Sequence, residues 1–194
     1  MRAPSPRSSR VKESRMPQNP KRSIRRVSVL GSGKVSEKDP VYQQAVRLGQ
    51  ALAQEGFRVC HGGYGGVMEA VAKGCRLAGG QNAGVTIRGV SKKINPQSDA
   101  EIRMPSWKER LFKLIEMGDA YIFLDGATGT LAELFVVLEM TNRGLLSKPI
   151  IILGKRFSKL MRFLKKDISV KIPQNLHFTP STARAVKILT GYRG

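Results

Sequence analysis

The chain has 194 residues, of which 41% are hydrophobic, and a formal net charge of +20. That length and apolar content suit one globular body with a full core plus an extension, and no apolar run reaches the length of a membrane span. Cys60 and Cys75 lack CxxC spacing and read as reduced core thiols rather than a disulfide framework; His61 and His177 have no partner motif, so no metal site is predicted.

Residues 1–24 are dominated by Pro, Ser and Arg, and residues 1–26 hold nine Lys/Arg against the single acid Glu13. This composition predicts a disordered basic tail: a solubilising extension, a targeting arm (Arg- and Ser-rich like an organelle transit peptide, though without a clear amphipathic helix), or an arm making non-specific nucleic-acid contact. The N-terminus lacks the apolar core of a secretory signal, which predicts a cytoplasmic protein.

Residues 27–30 (VSVL) read as a first strand, followed at once by Gly31-Ser32-Gly33-Lys34. This is not a Walker A loop, but it stands at a strand's C-terminal end, where open α/β sheets bind ligands. Ala45, Leu48, Ala51 and Leu52 mark an amphipathic helix over 41–55, ended by Gly56. Residues 57–60 form a second strand that runs into His61-Gly62-Gly63-Tyr64-Gly65-Gly66, whose glycines let the backbone approach a ligand. Val67, Met68, Val71, Ala72 and Cys75 then share a helical face.

A third strand is expected at 85–87. A long polar loop over 89–105 follows, with a short strand at 101–104. Trp107, Leu111, Leu114 and Ile115 mark the next helix, in which Arg110, among Lys108, Glu109 and Lys113, reads as a solvated position. Tyr121-Ile122-Phe123-Leu124 is a buried strand. It opens into the small-residue loop Gly126, Thr128, Gly129, Thr130, and a helix starts at Leu131 with Leu134, Phe135 and Leu138 in register.

Strand, glycine loop and helix start together form an anion-binding architecture. Glu133, in that helix's first turn, is either half of a capping box with Thr130 or a functional carboxylate. Residues 150–154 (IIILG) read as a strand buried on both faces. Phe157, Leu160, Met161 and Leu164 give a helix whose other face carries six cations between Lys155 and Lys166, read as solvated. A short edge strand at 176–178 and a helix over 183–189, packing through Ala183, Ala185, Val186 and Leu189, close the chain. The alternation predicts an α/β fold: a Rossmann-like, doubly wound parallel sheet in three layers, a single domain over residues 25–194. Three glycine loops (31–33, 62–66 and 126–129) then converge on one crevice.

These motifs resemble the Lonely Guy (LOG) family of cytokinin riboside 5′-monophosphate phosphoribohydrolases, also labelled lysine decarboxylase-like. Gly62-Gly63-Tyr64-Gly65-Gly66-Val67-Met68 is similar to that family's GGxxGxM loop, Gly129-Thr130-Leu131-Ala132-Glu133 to the GTxxE half of its PGGxGTxxE signature, and Arg110 stands at the family arginine. The resemblance implies a dimeric hydrolase that cleaves the N-glycosidic bond of a nucleoside 5′-monophosphate, with no metal or other cofactor. It implies Glu133 and Arg110 as catalytic groups. Phosphate would lie on Gly126, Thr128, Gly129 and Thr130, and the nucleotide against Gly62, Gly63, Gly66 and Met68. Ser32 and Lys34 would meet the base or ribose. Asp125-Gly126-Ala127 replaces PGG, and Leu111 replaces a lysine after the arginine. An aspartate there repels phosphate unless its side chain points away. The departures carry a second reading, a non-catalytic nucleotide or cofactor binder like the molybdenum cofactor carriers.

Overall fold

The computed structural model describes residues 24–90, 92–167 and 170–192. The basic tail predicted for residues 1–24 lies, but for its last residue, outside the described residues. Seven strands form one sheet: β1 (Arg26–Leu30), β2 (Arg58–His61), β3 (Asn82–Ile87), β4 (Ala100–Met104), β5 (Ala120–Phe123), β6 (Ile150–Ile152) and β7 (Leu176–Phe178). Every neighbouring pair is parallel, in the order β4-β3-β2-β1-β5-β6-β7. The order reverses between β1 and β5, so the crevice at their C-terminal ends is the topological switch point where such sheets take ligands.

Alternation along the strands divides the apolar residues between two faces. Val27, Val29, Ile122, Leu124 and Ile151 face α1 (Pro40–Gln54), α2 (Val67–Leu77) and α6 (Thr182–Thr190). Leu30, Tyr121, Phe123, Ile150 and Ile152 face α3 (Trp107–Met117), α4 (Thr128–Asn142) and α5 (Lys155–Asp167). Helices on both faces make the three-layer, doubly wound Rossmann-like architecture expected from the sequence. The short strands at 101–104 and 176–178 are the two sheet edges. In α6 the packing residues are Ala185, Val186 and Leu189, whereas Ala183 is exposed, because the helix turns its first turn outward. Among the described residues no helix is long and apolar enough to cross a membrane.

Two helical glycines set how closely α1 and α2 approach. A Cβ on Gly49 would collide with the carbonyl oxygen of Val71, and one on Gly74 with that of Val46. Backbone cannot yield as a flexible side chain can. Gly74→Ala should therefore lower the unfolding free energy by about 3 kcal/mol despite alanine's better helix propensity. Urea denaturation checks it, and an unchanged midpoint would show that the helices can slide apart.

Candidate active site

Three loops meet at the switch point and are hydrogen-bonded to one another. Ser32 N donates to Asp125 O at 3.2 Å, tying the loop after β1 to the loop after β5. Val67 N donates to Ser32 O at 2.8 Å, tying the first loop to the start of α2. Gly66, the N-cap of α2, has φ 68°, and a side chain there would strike Ser32 O and Gly33. Gly63 also sits at positive φ, 81°. Its N–H donates to His61 Nδ1 at 3.1 Å, and its carbonyl accepts from the backbone and side-chain amides of Asn95.

His61 is therefore a structural group. With Nδ1 accepting from Gly63, the proton resides on Nε2, which faces Asn82 Oδ1 at 3.0 Å. Burial pushes the His61 pKa down to about 4. A histidine that folds in its neutral form stabilises fully above its unfolded pKa, and that stability is lost as pH falls from about 6.5 toward 4. The loss should reach about 3 kcal/mol relative to His61→Gln across that window. Parallel acid limbs for the two proteins would rule the imidazole out as the cause. Cys60 and Cys75 are free and buried, and burial raises both thiols to about 11, which makes them inert core residues.

The loops enclose an open cavity of about 250 Å³. Of the residues singled out from sequence, Ser32, Lys34, Gly62, Met68, Arg110, Gly129, Thr130 and Glu133 line it. Gly63 and Gly66 shape the loop behind it. Gly126 packs under Thr130, where a Cβ would strike the Thr130 hydroxyl. Thr128 opens α4 beside the cavity.

α4 begins earlier than the apolar periodicity indicated, at Thr128 rather than Leu131, and its N-cap is Ala127. Thr130 is thus inside the first turn, and no capping box with Glu133 forms. No side chain caps that turn, so the N–H groups of Thr128, Gly129 and Thr130 are left for a ligand or solvent. Ala127 has φ −104°, which needs no glycine.

Asp125 turns away from this turn. Its carboxylate accepts from the backbone N–H of Phe157 at 2.9 Å and of Arg156 at 3.1 Å, capping the start of α5. The condition under which an aspartate is compatible with an anion site is met. Leu111 lies in the core between α3 and the sheet and does not line the cavity.

Arg110 is buried, not solvated, with 8% exposure. Its Nε donates to Val85 O and one terminal nitrogen to Gly62 O, both at 2.8 Å. Its other terminal nitrogen lies 3.7 Å from Glu133 Oε1, and its guanidinium stacks 5.5 Å from the Tyr64 ring centroid. Burial lowers the Arg110 pKa, opposed by the charge of Glu133. Glu133 has a side-chain exposure of 12%. Burial pushes its carboxyl up to about 7, and Arg110 holds it from rising further. The result is a carboxyl that titrates near neutrality, at the wall of a cavity, clamped to a fixed cation. Such a group is suited to proton transfer or to stabilising a developing positive charge.

Tyr64, Lys92 and Trp107 also line the cavity, and Asn95 fixes the second glycine loop. Sequence reasoning did not single them out. The length of the 89–105 loop was the available signal for Lys92 and Asn95.

The SLOG cluster4 family model matches residues 24–178. A protein described as uncharacterised from Archaeoglobus fulgidus is 32% identical over 136 residues, covering 69% of this chain and 87% of that one. A protein of Oryza sativa subsp. japonica, described as a probable cytokinin riboside 5′-monophosphate phosphoribohydrolase, is 29% identical over 150 residues. That match covers 75% of this chain and spans 61% of the rice protein's length. Among solved structures, the Moco carrier protein of Chlamydomonas reinhardtii superposes with a TM-score of 0.66 at 25% identity, covering 88% of this chain and 99% of that one.

Proposed function

The chain belongs to the SLOG cluster4 family, a LOG-like family, and from that premise we propose that it hydrolyses the N-glycosidic bond of nucleoside 5′-monophosphates, such as adenosine 5′-monophosphate or a cytokinin riboside monophosphate. The observation that carries this reading is the Arg110–Glu133 pair at the cavity wall, one turn along from the uncapped start of the same helix. Glycosidic bonds of this kind break through an oxocarbenium-like transition state. The substrate phosphate lies on the N–H groups of Thr128, Gly129 and Thr130. The C1′–N bond breaks, its electron pair leaving with the base. Ionised Glu133 stabilises the cationic ribose and takes a proton from the water that adds at C1′ to give ribose 5-phosphate. It passes that proton through solvent to the departed base nitrogen, which releases neutral base and restores the carboxylate. Arg110, held by two backbone carbonyls, keeps Glu133 in position and favours its charged form. The base and ribose lie along Gly62, Met68, Ser32 and Lys34.

Residues 25–194 act as one nucleotide-binding domain in this reading, in a cytoplasmic homodimer. α4 supports the pairing. It is apolar on nearly all sides, with Phe135 39% exposed and Leu131, Val136 and Met140 half-buried, and a helix of that kind wants covering on more than one side. The test of the activity is chromatography of products over a panel of nucleoside monophosphates. Release of free base with stoichiometric ribose 5-phosphate is expected, and no release from any of them would reject the reaction.

A second reading is supported by the likeness to the Moco carrier protein and by Asp125-Gly126-Ala127 in place of PGG. The chain then binds a phosphorylated cofactor without turning it over. That reading expects a ligand that raises the melting temperature equally in wild type and Glu133→Gln.

A further inference from the structure

Helix α5 buries Phe157 and Met161 in the core. Its solvent side carries Lys155, Lys159, Arg162 and Lys166, all exposed, at successive spacings of four, three and four residues. With 3.6 residues per turn these four fall on a single stripe opposite the buried pair, running about 16 Å along the helix. No acid occurs between residues 155 and 166. None of the four takes part in an ion pair among the described residues. A solvated helix face ordinarily mixes signs, as α3 does, where Lys113 pairs with Glu116 at 3.1 Å.

α5 instead stacks like charges at helix-neighbour spacings and puts Lys155 and Arg156 in its first turn, where the macrodipole disfavours cations. Local rules broken in this concerted way mark a surface kept for a partner. That partner must carry regularly spaced negative charge. Phe163, 54% exposed, stands beside Lys159 and Lys166 at spacings of four and three. The helix cannot lay its apolar side into a bilayer, because that side is already in the core.

We propose that the exposed face of α5 binds single-stranded nucleic acid, with the cationic stripe tracking phosphates and Phe163 stacking on a base. The test uses the full-length chain and fluorescence anisotropy with a labelled single strand of about 12 nucleotides, a duplex of the same length, and vesicles containing phosphatidylserine. The variant K155Q/K159Q/R162Q/K166Q should bind the single strand at least about tenfold more weakly, with a log K against log salt slope shallower by about 3. Phe163→Ala should lose about tenfold on the single strand with an unchanged slope and little change on the duplex. Both variants should keep the wild-type melting temperature or exceed it, since like charges are removed or untouched. Unchanged affinity and slope in the fourfold variant would overturn the proposal and assign any binding to residues 1–26. Equal losses on single strand and duplex with no Phe163 effect, or stripe-dependent binding to vesicles alone, would overturn it as well.

Discussion

Glu133→Gln is expected to lower base release from adenosine 5′-monophosphate by about a thousandfold or more while the chain remains folded. The amide keeps the shape of the carboxyl but can neither take a proton from water nor offset a cationic ribose. In the wild type, kcat/KM should rise with pH and level off above about 7, because burial places the Glu133 pKa there. The stability of the pair of proteins adds an independent readout. A carboxyl whose folded pKa is raised stabilises fully below its unfolded value, and that contribution is lost as pH rises through the folded value. Relative to Glu133→Gln, the wild type should therefore lose about 3 kcal/mol between pH 4.5 and 7. Survival of activity in the variant would reject the mechanism. A flat stability difference would show that Glu133 ionises freely.

Arg110→Met should cost about 3 to 5 kcal/mol of stability, the range for breaking a buried ion pair from one side. Two carbonyls, Val85 O and Gly62 O, lose their donor, and the Glu133 carboxylate loses its ion-pair partner. Glu133 answers by holding its proton to higher pH, since the charge that opposes the effect of burial is gone. Any residual activity should accordingly have its pH profile displaced to the alkaline side. The double variant Arg110→Met/Glu133→Gln should be less destabilised at pH above 7 than the single losses add up to, because the stranded carboxylate is removed with its partner. Strict additivity would mean that the two groups do not interact at 3.7 Å.

The order of elements, the two-faced sheet and the meeting of three glycine loops were legible from the sequence, because hydrophobic periodicity and glycine placement are local properties. The pairing of Arg110 with Glu133 was accessible only through the motif resemblance. By residue type and neighbours Arg110 looks like a solvated helix position. What buries it are two carbonyls 25 and 48 residues away in sequence. Asp125 follows the same logic: its identity suggests repulsion at an anion site, and only the start of α5, 31 and 32 residues on, reveals where its charge is used. The boundary of α4 was misplaced because Thr128, Gly129 and Thr130 carry no apolar signal, although they already have helical conformation. Tyr64 belongs to a loop, where one aromatic residue shows no pattern, and Trp107 fits the apolar periodicity of α3 yet stands 52% exposed at the cavity instead of in the core.

His61 is buried at the end of β2 and Glu133 stands at the cavity wall on α4, and their protonation runs opposite to that of the free groups. At about pH 5.5 the folded chain keeps the proton on the carboxyl and leaves the imidazole neutral, while the unfolded chain prefers the reverse. Unfolding at that pH hands one proton from Glu133 to His61 and takes none from the solvent on their account. The pair should add nothing there to the dependence of the calorimetric unfolding enthalpy on the ionisation heat of the buffer, and either single variant should change that dependence by about one proton.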